Sequence, residues 1–111
     1  MQQIPANILN EPEYYYVYYD DEYIRLRKTI RDLEQQGVTP AGLLAWRISL
    51  ANAYGKRFVV DNLIKGKNTE KLFDIWDQIE TQRKNTSLSY KSVEAYEKYI
   101  SGLDKLETVN N

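Results

Sequence analysis

The sequence predicts an all-α protein, a small four- or five-helix bundle that forms a single domain. Apolar residues recur at spacings of three and four along several segments of the chain, which places them on one face of a helix. Capping residues and glycines separate these segments. A chain of 111 residues is long enough for one domain with a modest core.

The first long segment, residues 10–37, shows the pattern most clearly. We expect Asn10 to cap the start of this helix, Pro12 to lie in its first turn and Gly37 to end it. The Tyr-rich residues 14–19 would also suit a β-strand. The helix is favoured because its apolar seam continues unbroken through them, at Tyr16, Tyr19, Tyr23, Leu26, Ile30 and Leu33.

The second helix is predicted to begin at Thr39 and Pro40, an N-cap residue followed by a good first helical residue. Two neighbouring apolar stripes cover well over half of its circumference, so we expect it to be the most buried helix. Arg47 lies between the stripes and is expected to reach solvent or to pair with a carboxylate. Gly55 either ends this helix or is tolerated inside one that continues to Lys65.

Two further helices complete the predicted bundle. A cap at Asn68 or Thr69 begins the third, and a cap at Ser89 begins the fourth. The third helix has a compact apolar arc: Leu72, Phe73, Ile75, Trp76 and Ile79. The fourth has the inner face Val93, Tyr96, Ile100 and Leu103.

The predicted domain boundaries follow from these segments. Residues 10–107 form the helical bundle domain, and residues 108–111 are a frayed tail. Residues 1–9 have little periodicity and are predicted to be an N-terminal arm, anchored by Ile4, Ile8 and Leu9.

The residue types present argue against catalysis. The chain has no histidine and no cysteine, which removes the usual general base, nucleophilic triads and thiolate metal sites. Asp74, Asp77 and Glu80 step by three along the third helix, but Asp74 and Asp77 lie opposite its apolar arc and should face water. We therefore expect a protein that is not an enzyme and has no cofactor, metal site or catalytic residue.

Composition also bears on localisation. The sequence has no apolar run near the 18 residues that a membrane span needs and no secretory h-region. With no cysteine, its fold is compatible with a reducing compartment. We expect a soluble, cytoplasmic protein that does not bind membranes.

The first helix gives the leading functional hypothesis. At 100° per residue, several of its side chains fall outside the seam and form an expected partner-binding face: Tyr14, Val17, Tyr18, Ile24, Arg25 and Lys28. Exposed aromatic residues of this kind are enriched at protein interfaces. The alternative is that a second neighbouring helix covers them. The hypothesis is a protein-binding module, acting as an adaptor, inhibitor or regulatory subunit.

Self-association is a further hypothesis for the first helix. In a homodimer, its tyrosine seam would pair with that of a second copy across a two-fold axis.

Charge is unevenly distributed. Residues 25–71 contain ten Lys or Arg against four acids, between two acidic ends. Within this stretch Leu50-Ala51, Gly55, Val60, Leu63, Ile64 and Gly66-Lys67 resemble the repressor-type helix-turn-helix, in which glycine makes the turn and the next helix enters the major groove. The segment departs from that pattern at Lys56, at Arg57 and in a glycine spacing one residue short.

This resemblance implies an alternative function, a DNA-binding regulator that uses the basic segment 50–67. The residues expected to contact nucleic acid are Lys56, Arg57, Asn62, Lys65, Lys67 and Lys71, with Asn62 reading a base edge. The competing interpretation of the same segment is a glycine-broken bundle helix with a basic end.

Overall fold

The computed structural model describes residues 3–67, 69–84 and 87–105. These residues form five α-helices, and none of them lies in a β-strand. The helices are α1 (Ala6–Asn10), α2 (Pro12–Gln35), α3 (Leu44–Ile64), α4 (Thr69–Lys84) and α5 (Tyr90–Ser101). The all-α prediction is confirmed, in its five-helix form.

The tyrosine-rich run is helical, so the alternative of a strand over residues 14–19 is wrong. Pro12 is the first residue of α2, where the amide that proline lacks would have no intrahelical partner. Asn10 does not cap this helix. It is the last residue of α1, and Glu11 occupies the cap position without a side-chain hydrogen bond. The capping prediction for Asn10 is therefore wrong, because a cap residue needs a non-helical backbone.

The predicted N-terminal arm is tied into the core. Ile4 and Ile8 are both buried in the main hydrophobic cluster, as expected, whereas Leu9 is exposed. Residues 6–10 form the short helix α1 rather than an irregular arm. Burial of Ile8 and exposure of Leu9 follow because adjacent residues on a helix point in directions about 100° apart.

The helix α3 is central, since α2, α4 and α5 all pack against it. As predicted, its burial is the most extensive, including Ile48, Ala51, Ala53, Phe58, Val59 and Val60. A 3-10 turn (Ala41–Leu43) precedes it, in which Thr39 Oγ1 accepts a hydrogen bond from the Gly42 amide at 3.2 Å. Thr39 therefore caps this entry turn.

Gly55 does not break α3, which continues to Ile64. A Cβ atom at this position would lie 2.7 Å from Ile79 Cδ1 of α4 and 3.0 Å from Ile100 Cδ1 of α5. Glycine is accommodated here because three helices meet too closely for a side chain. The prediction of a turn at Gly55 is wrong, and the prediction of one helix reaching Lys65 is confirmed.

Two other glycines end helices in the left-handed conformation that glycine favours. Gly37 after α2 has φ +88°, and Gly66 after α3 has φ +71°. The Gly37 amide donates to the Glu34 carbonyl and the Val38 amide donates to the Leu33 carbonyl, which is the Schellman arrangement.

The last two helices bury the faces that the sequence predicts. In the apolar arc of α4, every residue is buried except Phe73, which is half-buried. The four predicted inner-face residues of the last segment, in α5 and just after it, are all buried. Ser89 caps α5 in a reciprocal arrangement with Ser92. The predicted cap at Asn68 and the predicted tail 108–111 lie outside the described residues.

Candidate protein-binding face on the second helix

The predicted partner-binding residues lie together on the solvent side of α2, hereafter the outer face. The exposed fractions of Tyr14, Val17, Tyr18 and Ile24 are 64%, 59%, 52% and 58%. Arg25 and Lys28 continue the same face and are also exposed. None of the described helices covers these side chains, so the alternative of a covering neighbour is wrong for the described part of the chain.

The opposite side of α2 carries the tyrosine seam, which packs inwards. Tyr19 is buried, and its ring centroid lies 6.4 Å from that of Trp76 on α4. Tyr23 contacts Tyr54 of α3, with ring centroids 5.7 Å apart. Tyr19 and Tyr23 are therefore engaged within the bundle, and self-association through this seam stays a prediction that the packing does not favour.

The exposed tyrosine rings rest on fixed neighbours. Tyr14 meets Tyr15 edge to face, with centroids 5.0 Å apart, and Tyr18 meets Tyr19 in the same way at 5.2 Å. Tyr15 is held from α1, because Asn7 Nδ2 donates to its hydroxyl at 2.6 Å. Tyr14 and Tyr18 therefore each have an aromatic neighbour that limits their side-chain motion before any contact, which lowers the entropy lost on binding.

Arg57 ties the middle of α2 to α3. Its guanidinium donates to Asp20 at 2.7 Å and lies over the rings of Tyr23 and Tyr54, at 4.5 Å and 5.3 Å from their centroids. Tyr54 in turn donates to Asp104 at 2.7 Å. Burial and this hydrogen bond to Asp104 raise the pKa of Tyr54 to about 12, so its hydroxyl stays a donor at neutral pH.

Lys56 makes a parallel link from α3 to α4. Its Nζ lies 3.2 Å from Glu80 and over the rings of Trp76 and Tyr19, at 5.2 Å and 5.8 Å. Burial opposes ionisation of Glu80, but hydrogen bonds and charge from Arg83 and Lys56 outweigh it and hold the pKa of Glu80 below its usual value. This ion pair is structural, and sequence reasoning missed it because its partners lie 24 residues apart.

The carboxylate partner predicted for Arg47 is Glu97 of α5. Arg47 donates through two nitrogens, with Nε 3.0 Å from Glu97 Oε2, and lies over the Tyr90 ring. The side chains of Arg47 and Glu97 are both partly buried. This contact fixes α5 against α3 and is remote from the outer face.

The helix-turn-helix resemblance does not correspond to the geometry. The turn at Gly55 is absent, and Asn62 is only 2% exposed. The side-chain amide of Asn62 donates to the Phe58 carbonyl at 2.9 Å. Because this side chain is buried and already hydrogen-bonded, it cannot reach a base edge. The expectation that Asn62 reads nucleic acid is wrong.

The cations of the basic segment are not gathered into one open surface. Lys56 and Arg57 are partly buried in the ion pairs described above, and Lys65 pairs at 3.0 Å with an aspartate one turn earlier. Lys67 is half-buried and Lys71 is exposed. Nucleic-acid binding by this segment stays a prediction that its geometry does not favour.

Sequence reasoning missed two cations beside the outer face. Arg27 and Arg31 are exposed and, with Ile24 and Lys28, line a shallow depression on α2. Their spacing of four residues was a usable signal, because it places both on one side of a helix.

A groove lined by apolar residues, among them Leu50 and Ile100, lies between α2, α3 and α5. Its two carboxylates already accept hydrogen bonds, Glu97 from Arg47 and Asp104 from Tyr54. Within the described ranges, no group of three or more acidic side chains is placed to hold a metal ion. In the same ranges, no helix has both the length and the apolar character needed to cross a bilayer.

The fold and the outer face define the class of this protein, a small all-α helical bundle with an exposed aromatic stripe on one helix. Comparisons with protein-family models, curated proteins and solved structures each found no match.

Proposed function

We propose that this protein is a protein-binding module, an adaptor, inhibitor or regulatory subunit, that acts by surface contact through the outer face of α2. One observation carries the proposal. Four large apolar side chains of a single helix, Tyr14, Val17, Tyr18 and Ile24, are each more than half exposed. Isolated exposed apolar residues are common, but several on one face of a helix are typical of an interaction surface.

The chemistry of the face suits a protein partner. Covering apolar surface contributes roughly 25 cal/mol per Å² removed from water, and tyrosines combine large contact area with a hydroxyl that stays hydrogen-bonded. Arg25 and Lys28 border the apolar residues on one side. An apolar centre with a charged edge is the usual composition of a specific protein interface.

Affinity capture with the immobilised protein tests this proposal. We expect Tyr14→Ser/Tyr18→Ser to weaken capture of a partner from lysate of its own organism at least about tenfold, since aromatic anchors dominate binding energy. The free energy of unfolding should change by less than about 1 kcal/mol, because both side chains are exposed.

Tyr99→Ser is the matched control, an exposed tyrosine of α5 far along the chain from α2. It should leave capture unchanged. Equal capture by wild type and a folded Tyr14→Ser/Tyr18→Ser variant would exclude the outer face as the binding surface.

A further inference from the structure

The outer face of α2 has the periodicity of a helix-pairing surface. Tyr14, Val17, Asp21, Ile24 and Lys28 alternate spacings of three and four, and all five are exposed. They lie opposite the buried side of the helix. Three of the five, Tyr14, Val17 and Ile24, are apolar, which is the pattern with which a second helix packs, whereas Asp21 and Lys28 are polar seam positions that fix register at a cost in stability.

Charge along this face is divided into two blocks. The acids Glu11 and Glu13 lie at the start of α2, and the cations Arg25 and Arg27 lie more than three turns later. Within the described chain, the side chains of Glu11, Glu13 and Arg25 form no ion pair or hydrogen bond. When two copies of the helix run antiparallel, the acids of one copy lie opposite the cations of the other. When the copies run parallel, like charges lie opposite one another.

We infer that the occupant of the outer face is a second copy of this chain, with the two α2 helices antiparallel about a two-fold axis near Tyr18. This inference rests on the proposed function, because it names the partner of the same face. In this register, Tyr14 of one copy contacts Ile24 of the other. Glu11 faces Arg25 and Glu13 faces Arg27, and the symmetry makes each contact twice.

Two acids lie near the axis, Asp20 and Asp21, and only Asp20 is neutralised inside each copy. Asp20 would face its own counterpart across the axis, and two facing carboxylates repel. Arg57 of the same copy donates to Asp20 at 2.7 Å. The bundle thus removes the repulsion between the two Asp20 side chains. Asp21 would face Val17 of the other copy, and covering its charge there weakens the association.

The size of the contact sets the expected strength. Within α2, residues 12–26 overlap in this register, roughly 21 Å of helix at 1.5 Å per residue. One helix of this length buries less than the roughly 800 Å² per partner of a standard interface. Association should therefore be weak and depend on protein concentration and salt.

Sedimentation equilibrium of the full chain over a wide concentration range provides the test. The wild-type mass should rise from 13.1 kDa towards twice that value. Two charge-reversal variants, Glu11→Lys/Glu13→Lys and Arg25→Glu/Arg27→Glu, should each remain monomeric, because each places like charges opposite one another. An equimolar mixture of the two should regain a mass at least as high as wild type, since all four charge pairs are again opposite in sign.

Lys91→Glu/Lys98→Glu on α5 is the matched control, an equal change of charge at exposed positions, and should associate like wild type. A wild-type protein that stays monomeric at the highest concentration overturns the inference. The inference is also overturned if both charge-reversal variants still form a dimer, or if their equimolar mixture stays monomeric. A monomeric wild type leaves the proposed function standing when affinity capture still depends on Tyr14 and Tyr18, so the two failures are distinguishable.

Discussion

Arg57 of α3 and Asp20 of α2 form an ion pair between the two longest helices, in the same turns of α2 that carry the outer face. The Arg57 guanidinium donates to Asp20 at 2.7 Å, and both side chains are partly buried. The same guanidinium lies 4.5 Å from the centroid of the Tyr23 ring. One side chain of α3 therefore contacts the middle of α2 through both a carboxylate and an aromatic ring.

Replacing Arg57 should weaken the α2–α3 contact. We expect Arg57→Ala to lower the free energy of unfolding by about 1–2 kcal/mol, through loss of one charge-assisted hydrogen bond and the ring contacts. A double-mutant cycle with Asp20→Asn, measured by urea unfolding, isolates their coupling. The control cycle uses Lys28 and Asp32, an exposed pair on α2, with expected coupling below about 0.5 kcal/mol. A coupling for Arg57 and Asp20 no larger than the control contradicts the structural role.

Gly55 should tolerate no branched side chain. We expect Gly55→Val to destabilise the fold by about 1–3 kcal/mol, because a Cβ atom already meets Ile79 and Ile100 in a filled core. Gly102→Ala is the control, since a Cβ there makes only ordinary contacts and should change the free energy by less than about 1 kcal/mol. Urea unfolding measures both variants. Equal stability of the Val variant and wild type would mean that the three helices do not meet this closely.

Glu80 should give stability a defined pH dependence. Its folded-state pKa lies below the ordinary value of 4.5, so its contribution is complete above that value and is lost as the pH falls through the folded pKa. We expect Glu80→Gln to cost about 1–3 kcal/mol at neutral pH, because Lys56 and Arg83 lose a charged partner. The difference should shrink in acid.

Urea unfolding at neutral and acidic pH checks this dependence. Glu94→Gln at an exposed position of α5 is the control and should have little effect at either pH. A Glu80→Gln cost that is the same at both pH values would show that charge is not the source of the stabilisation.

DNA binding through residues 50–67 is expected to be undetectable. Asn62 is buried, and Lys56 and Arg57 are engaged within the bundle. Fluorescence polarisation with a labelled duplex at two salt concentrations should give no saturable binding tighter than about 10⁻⁴ M at physiological salt. Saturable binding that weakens with salt would restore the nucleic-acid alternative.

Helix identity and helix ends were largely predictable. The apolar spacing located four of the five helices, and Gly37 ends α2 and Ser89 begins α5 as expected. Capping depends on neighbours within a few residues, so local sequence is sufficient. Two helix starts are exceptions. A competing turn of helix, α1, incorporated Asn10, and α3 begins at Leu44 after a 3-10 turn rather than at Pro40.

The pairing of charges was not predictable. Lys56 and Arg57 look like cations of a nucleic-acid surface when only the sequence is considered. Their partners Glu80 and Asp20 lie 24 and 37 residues away, and which distant carboxylate a cation meets depends on helix packing. Gly55 was ambiguous for the same reason, since its close neighbours are on α4 and α5.

The sequence by itself determined that this protein is built of amphipathic helices and which side chains of α2 fall outside the apolar seam, because both follow from a period of 3.6 residues within one segment. Only the tertiary structure decided that Tyr19 packs on α4 and Tyr23 packs on α3. It also decided that, within the described chain, Tyr14, Val17, Tyr18 and Ile24 remain exposed to solvent. Exposure depends on which helices pack together, and packing joins residues that are distant in sequence.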